Sequence, residues 1–262
     1  MTVVALLHPG AMGSRLGGEL VATGHQVRWL AAGRSEATRA RARTEGLTAV
    51  DDAAALVDGA EVVLSVLPPQ AAVDVARLVA ATGFHGTYVD ANPLSPGTLH
   101  EVRTAVEAVG ATVVDGGVVG PPPRDGGRTH LYLAGPTDAV AQVEVVVAGT
   151  RVTPVVLGTE VGRASAAKQA YALFNKGRMV LASLAAEIAD AHGVTDVLAA
   201  EADRPGAELL GELADLRAGL ADVGWRWGPE LDEVARTLAA AGSDPSAVEG
   251  LAAQLRRLAP DA

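Results

Sequence analysis

The sequence predicts an α/β protein: a Rossmann-like, mostly parallel sheet in the N-terminal part, joined by a long helix to an all-helical C-terminal part. Three observations predict it. Short β-branched runs alternate with helix-forming stretches over roughly the first 115 residues, which is the pattern of βαβ units. The first run leads directly into a glycine-bearing turn, "LLHPGAMGSRLGGEL" from Leu6 to Leu20. Beyond Gly158 the strand pattern stops and helix-forming sequence continues to the C-terminus.

The strands read in order as "TVVALL", "QVRWL", a weaker "LTAV", "EVVLSVL", "TYVDA" and "ATVVD". Between them, "SEATRARARTEG" and "QAAVDVARLVAATG" set their apolar residues at helical spacing. "HLYLAG" and "RVTPVVLG" read as two further strands around a helix near 136–148. "GRASAAKQAYALFNKGRMVLASLAAEIADAHG" contains no proline; as one helix of about thirty residues it would run roughly 45 Å. The rest is helical, broken by "RPGA", "WRWGPE" and "GSDPSA". Pro229 and Pro245 suit first-turn positions, with Asp244 as the cap of the second helix. "WRW" (225–227) lines a cleft or packs. The expected domains are 1–158, dinucleotide-binding, and 159–262, helical.

Composition narrows the function. The 262 residues are 49% apolar and 20% charged, which suits a globular chain with a sizeable core. Aromatics are only 3%, so that core must rest on Val, Leu and Ala. A net charge of -10 with no basic run argues against nucleic acid as a partner. The absence of cysteine removes disulfides, thiolate metal sites and thiol nucleophiles. The six histidines form neither H-x-H nor H-E-x-x-H, so no metal is expected. "MTVVALL" lacks a basic leader, and no stretch approaches the ~20 apolar residues of a membrane helix. The expectation is a soluble, cytoplasmic protein with a small-molecule substrate and no membrane partner.

In the fingerprint G-x-G-x-x-G the first glycine makes the turn, the second admits the pyrophosphate and the third lets helix and strand pack closely. Gly10 and Gly13 hold the second and third positions, and His8 holds the first. His8, Pro9, Gly10, Ala11, Met12 and Gly13 are therefore the expected cofactor loop. His8 either flanks the pyrophosphate or packs, and packing is favoured. After the second strand no acid occurs before Glu36; Arg34 and Ser35 stand there, with Arg39 and Arg41 beyond. An acid at this place binds the ribose hydroxyls of NAD, and an arginine accommodates a 2′-phosphate. NADP is the expected cofactor, with NAD the alternative; the competing reading makes these arginines a solvated helix face.

Five segments taken together resemble one family. "HPGAMG", "LSVLPP" (64–69), "YVDANPLSP" (88–96), "VVDGGVVGPP" (113–122) and "VGRASAAKQAYALFNKG" (161–177) follow the order of motifs in the β-hydroxyacid dehydrogenases. These are relatives of 6-phosphogluconate dehydrogenase and of imine reductases, in the 6-phosphogluconate dehydrogenase NAD-binding superfamily. The C-terminal part is similar only in its helical character. The resemblance implies a nicotinamide-dependent dehydrogenase or reductase that pairs as a homodimer through the helical domain. It implies cofactor contacts at Leu67, Pro68 and Asn92.

The family's motif G-x-G-x-x-x-K-x-x-x-N reads here as Gly162, Ala164, Lys168 and Ala172, so the acid–base lysine is kept and the asparagine is not. Its substrate loop, D-x-P-V-S-G-G, reads as Asp115 to Pro121, with Val119 at the serine and Gly120 after it. Asn92-Pro93 replaces a Ser-Thr pair. Substrate contacts are thus expected from Asn92, Val119, Gly120, Tyr171 and Asn175, the last two lying on the face of the helix that carries Lys168. Arg124, in "GPPPRDGGRTH", either pairs with a substrate anion or is an exposed loop residue. A lysine in a partly apolar site can hand a proton to the alkoxide left by hydride transfer, and take it back in reverse. The expected activity joins a carbonyl to its alcohol on a hydroxyacid-type substrate. The rivals are an imine reductase and a dinucleotide-binding protein without turnover.

Overall fold

The computed structural model describes residues 1–123, 128–202, 220 and 224–259. Arg124 and the "RPGA" break lie outside them. Eight strands form one sheet: β1 Val3–Leu6, β2 Gln26–Leu30, β3 Thr48–Val50, β4 Val62–Ser65, β5 Thr87–Asp90, β6 Thr112–Val119, β7 Thr129–Ala134 and β8 Val152–Val156. Their order is β3-β2-β1-β4-β5-β6-β7-β8. The first six follow the doubly-wound Rossmann order, in which the crevice opens where the chain reverses direction beside β1. All pairs are parallel except β6 with β7. β8 forms the edge, where Pro154 costs no ladder hydrogen bond on the open side.

Alternate residues of each strand feed two cores. Val4, Leu6, Leu64, Val89 and Val114 face α1 (Ala11–Ala22) and α6 (Thr137–Val147). Ala5, Val63, Tyr88 and Val113 face α3 (Ala53–Val57), α4 (Ala72–Ala80) and α5 (Pro96–Glu107). A sheet covered on both faces needs apolar residues at both parities, which is why its strands read as unbroken Val/Leu runs. α2 (Glu36–Thr44) covers the β2–β3 end, with Ala42 in the first core.

α7 (Arg163–His192) is one helix of 30 residues, as the proline-free stretch predicted. The chain divides within it, into compact units Met1–Lys168 and Gln169–Ala262, rather than at 158. The reason lies in α7's first turn, which is bonded to β6 and so belongs to the sheet. In the second unit follow α8 (Thr195–Ala202), α9 (Gly228–Ala240) and α10 (Ser246–Leu258). Val180, Leu231, Val234, Val248 and Leu255 form its core. Pro229 opens α9 as expected, but Pro245 is itself the N-cap of α10, and Asp244 accepts from Ser246 N–H at 2.9 Å. Among the described residues no helix is long and apolar enough to cross a membrane, and no cluster of potential metal ligands occurs.

Candidate active site

The cofactor loop follows β1 directly. Gly10 is the N-cap of α1 and no side chain caps that end, so its first N–H groups stay available to an anion. A Cβ on residue 13 would lie 2.1 Å from the His8 carbonyl oxygen, so only glycine fits there. Gly13 therefore meets the close-packing requirement of the third fingerprint position. Among the described residues none other than glycine has a positive φ, and so the turn at His8 does not need glycine. The His8 ring lies over Gly10, with Cδ2 3.1 Å from where a Cβ would be. Its Nδ1 is buried without a hydrogen-bond partner. Burial, then Arg34 and Arg41, push its pKa down, so His8 is neutral at neutral pH. Pro9 and Gly13 are buried, Ala11 is exposed and Met12 is half-buried.

Three arginines gather at the end of β2. Arg39 donates to the carbonyl of Ala31 at 2.6 Å and Arg41 to that of Pro9 at 3.4 Å. Both are tied to the loop backbone and are not a free solvated face. Half-buried Arg34 has an Nε that is buried and unpartnered. The nearest acid in sequence, Glu36, is taken by Arg43 at 2.6 Å. The hydroxyl of Ser35 caps α2, accepting from Thr38 N–H at 3.3 Å. The uncapped helix, the glycine cradle and the orphaned guanidinium nitrogen fit a dinucleotide.

At the other side of the crevice, the ends of β4, β5 and β6 are joined by buried polar groups. Asn92 is 2% exposed. Its amide donates to Ser65 Oγ at 3.0 Å and accepts from Leu67 N–H at 2.8 Å, so both ends of the side chain are engaged. Asn92 thereby fixes the half-buried Leu67 and, after it, exposed Pro68. Asp90 is fully buried, accepts from Asn92 N–H at 3.0 Å and pairs in register with Asp115. Burial, opposed by that N–H and reinforced by Asp115, pushes its pKa up to about 7. Asp115 accepts from the N–H groups of Gly162 (2.9 Å), Ala164 (2.8 Å) and Ser165 (3.1 Å) and from Ser165 Oγ (2.5 Å).

That anchorage sets α7 against β6 at Gly117, where a Cβ would lie 2.9 Å from Ala164 O and 3.0 Å from Lys168 Cβ. Lys168 is half-buried there, and burial pulls its pKa down to about 8. Val119, at the end of β6, is 7% exposed, and Gly120 turns the chain out with φ +115°. Opposite them on β7, Tyr132 pairs with Gly117 and His130 with Val119, their rings stacked at 6.4 Å.

A family model described as the NAD binding domain of 6-phosphogluconate dehydrogenase matches residues 4–158. The chain belongs to that family. A second model, a Domain of unknown function (DUF1932), matches residues 189–258. No curated protein matches the chain. Among solved structures, conserved protein MTH1747, of unknown function and structurally similar to 3-hydroxyacid dehydrogenases, is 25% identical. That match covers 98% of this chain and 97% of the other, with a TM-score of 0.71. The 3-hydroxyisobutyrate dehydrogenase of Mycobacterium tuberculosis, solved with L-serine, is 19% identical over 100% of this chain and 94% of its own, with a TM-score of 0.76. The reductive aminase of Aspergillus terreus, in complex with NADPH and ethyl levulinate, is 20% identical over 98% and 92%, with a TM-score of 0.59. By family and fold the chain is an NAD(P)-dependent dehydrogenase or reductase.

The 6-phosphogluconate dehydrogenase NAD-binding family model ends before α7, so the lysine helix has to be read from its own geometry. Of the chain's 21 lysines and arginines only Lys168 and Lys176 are lysine, and both lie on α7. Tyr171 and Asn175 belong to the second unit. Tyr171 is 44% exposed, and Asn175 accepts from Arg178 at 3.2 Å. Trp225 is exposed, while Trp227 packs on Met179 and Ala182, with Lys176 5.6 Å from its ring centroid. Sequence reading missed Ser65, Asp90 and Ser165. The available signal was a pair of acids closing two neighbouring apolar strands, "YVD" and "VVD".

Proposed function

We propose that the chain is an NADP-dependent oxidoreductase that interconverts a carbonyl and its alcohol, with Lys168 as the acid–base group. We further propose that it acts as a homodimer through the helical unit, where α7 exposes Phe174, Leu181 and Ile188 seven residues apart. The observation that carries the reading is the placement of Lys168, half-buried beside Gly117, with a pKa drawn to about 8. A group that titrates near neutrality can both give and take a proton under working conditions.

The residues that would hold the cofactor are the α1 N-terminus with Gly10 and Gly13, and Arg34 at the 2′-phosphate. When bound, the nicotinamide supplies a hydride to the substrate carbon or accepts one from it. In reduction, Lys168 Nζ donates a proton to the developing alkoxide oxygen; in oxidation the neutral amine removes it from the alcohol. Asn92 keeps Leu67 and Pro68 in place at the crevice. Val119, where the family's substrate loop carries a serine, presents no hydroxyl. That favours a substrate less polar at this point than a small hydroxyacid. An imine is the second reading, favoured by Ala172 in place of the family's asparagine, since an imine nitrogen also needs only one proton donor.

The test is a fluorescence titration with NADPH and with NADH. NADPH should bind at least about tenfold more tightly, and Arg34→Ala should remove most of that preference, as expected for a charged hydrogen bond of ~1.5–3 kcal/mol. Equal binding of the two, unchanged in the variant, would overturn the NADP assignment. Binding of neither would remove the enzyme reading.

A further inference from the structure

We infer that Asp115 is a positioning residue for the reaction: from β6 it clamps the first turn of α7 and so holds Lys168 against Gly117. The inference rests on the reading of Lys168 as the acid–base group.

The first N–H groups of an α-helix have no partner within the helix. The common remedy is a Ser, Thr, Asp or Asn immediately before it. At α7 the acceptor instead comes from a strand 47 to 50 residues earlier. An N-cap neighbour would fix only the helix's own first turn. A carboxylate on a central strand fixes that turn relative to the sheet. Ser165 strengthens the tie, since its hydroxyl donates to Asp115 at 2.5 Å and it lies 3.4 Å from the carbonyl of Asn92 on the neighbouring strand end.

Lys168 follows Ala164 by four residues and Ser165 by three, so it stands on the same face as the clamped groups, one turn on. Asp115 and Gly117 are two apart on β6 and so share a face of the strand. The acid holds the helix down and the glycine leaves room for it. The lysine stem then meets β6 backbone where any side chain would displace it.

Asp115 could act otherwise, as a counter-charge to the ammonium. Its two oxygens are already taken by three N–H groups and a hydroxyl. Burial draws the Lys168 pKa down, the direction opposite to that of a counter-charge. The two roles predict opposite signs. Removal of a counter-charge lowers a lysine's pKa, whereas release of a clamp rehydrates the amine and raises it.

Because the chain has two lysines, selective isotopic labelling of lysine resolves the Lys168 side chain by NMR without any substrate. In the full-length protein its titration midpoint should lie near 8 and rise by at least about one pH unit in Asp115→Asn. Amide exchange of 162–168 should quicken at the same time, while NADPH affinity stays within about twofold. Ser165→Ala should raise the midpoint in the same direction by less; it carries the test if Asp115→Asn fails to fold. A folded variant with an unchanged or lowered midpoint and unchanged exchange would overturn the clamp. A wild-type midpoint near 10.5 would overturn the acid–base reading instead, and amide exchange would still decide the clamp.

Discussion

The two sides of the crevice differ in how far the chain itself satisfies their buried polar atoms. At the end of β1 and β2, His8 Nδ1 and Arg34 Nε are buried without partners, and the start of α1 lacks a side-chain cap. At the end of β5 and β6, Asn92 has both ends of its amide engaged, and the Asp115 carboxylate takes four donors. A buried polar atom left unpaired costs about 1–3 kcal/mol. Asp90 Oδ2 on the β5–β6 side is also buried without a partner, so it is the uncapped start of α1 beside the unpaired His8 and Arg34 atoms that marks the β1–β2 side as the one a ligand completes. The β1–β2 side receives a charged molecule. The β5–β6 side holds one piece of the chain against another and carries Lys168, the proposed acid–base group.

The comparison breaks most readily at that group. Lys168→Met should lower the rate by about 10²–10⁴-fold, the usual contribution of general acid–base catalysis, with cofactor affinity kept. In wild type, reduction should slow as pH rises through about 8 and oxidation should quicken, because the ammonium serves one direction and the amine the other. Stability should move the other way. The lysine's folded pKa lies below its unfolded value of 10.5, so the unfolded chain binds more protons between the two, and protonation in the fold is a cost fully present below about 8. Replacing it with Met should therefore raise Tm at pH 7. A variant that keeps wild-type turnover of a substrate found by screening would remove Lys168 from the mechanism.

Much of this arrangement was legible in the sequence, and the part that was not has a common cause. The central strands follow from runs of Val and Leu, because a sheet buried on both faces writes its core into contiguous residues. Even the weak "LTAV" is there as β3, short because it forms an exposed edge. The length of α7 could be counted from the absence of proline. What could not be read was which polar residues face the crevice and which face each other. Asn92 was expected at the ligand, yet its partners Ser65 and Leu67 lie 27 and 25 residues away. Ser35, expected at the phosphate, is also the cap of α2, accepting from Thr38 N–H. Such choices depend on long-range geometry, which neither periodicity nor a motif encodes.

A smaller effect should come from Asp90, and it sharpens the β5–β6 side. Its folded pKa is raised from 3.8 to about 7, the reverse of a salt-bridged aspartate. Between those values the folded state holds the proton and the unfolded chain has lost it. Asp90 thus costs nothing below about pH 4 and progressively more as pH rises to about 7, a few kcal/mol in all. Asp90→Asn keeps the oxygen that accepts from Asn92 N–H. It should match wild type in urea unfolding at pH 4 and exceed it at pH 8. If the variant is instead the less stable at pH 8, the carboxylate is paid for by contacts beyond the Asn92 bond, and this side holds a charge rather than avoiding one.

The smallest effect is expected at His8, and it decides how far the β1–β2 side depends on its odd residue. Two roles are open to the ring: cover for Gly10, or a ligand to the cofactor. The backbone at His8 has no positive φ, so glycine would not relieve strain there. Glycine would remove a buried ring and add freedom to the unfolded chain, and each change lowers stability. The ring is neutral near pH 7, held so by burial and by Arg34 and Arg41. It brings no charge to a phosphate. His8→Gly should accordingly lower Tm by a few degrees and leave the NADPH dissociation constant within about threefold, less than 1 kcal/mol. A tenfold loss of NADPH affinity with Tm unchanged would reverse the assignment: His8 Nδ1 would then be reserved for the cofactor, and the histidine would be a working part of the loop that merely lacks the usual glycine.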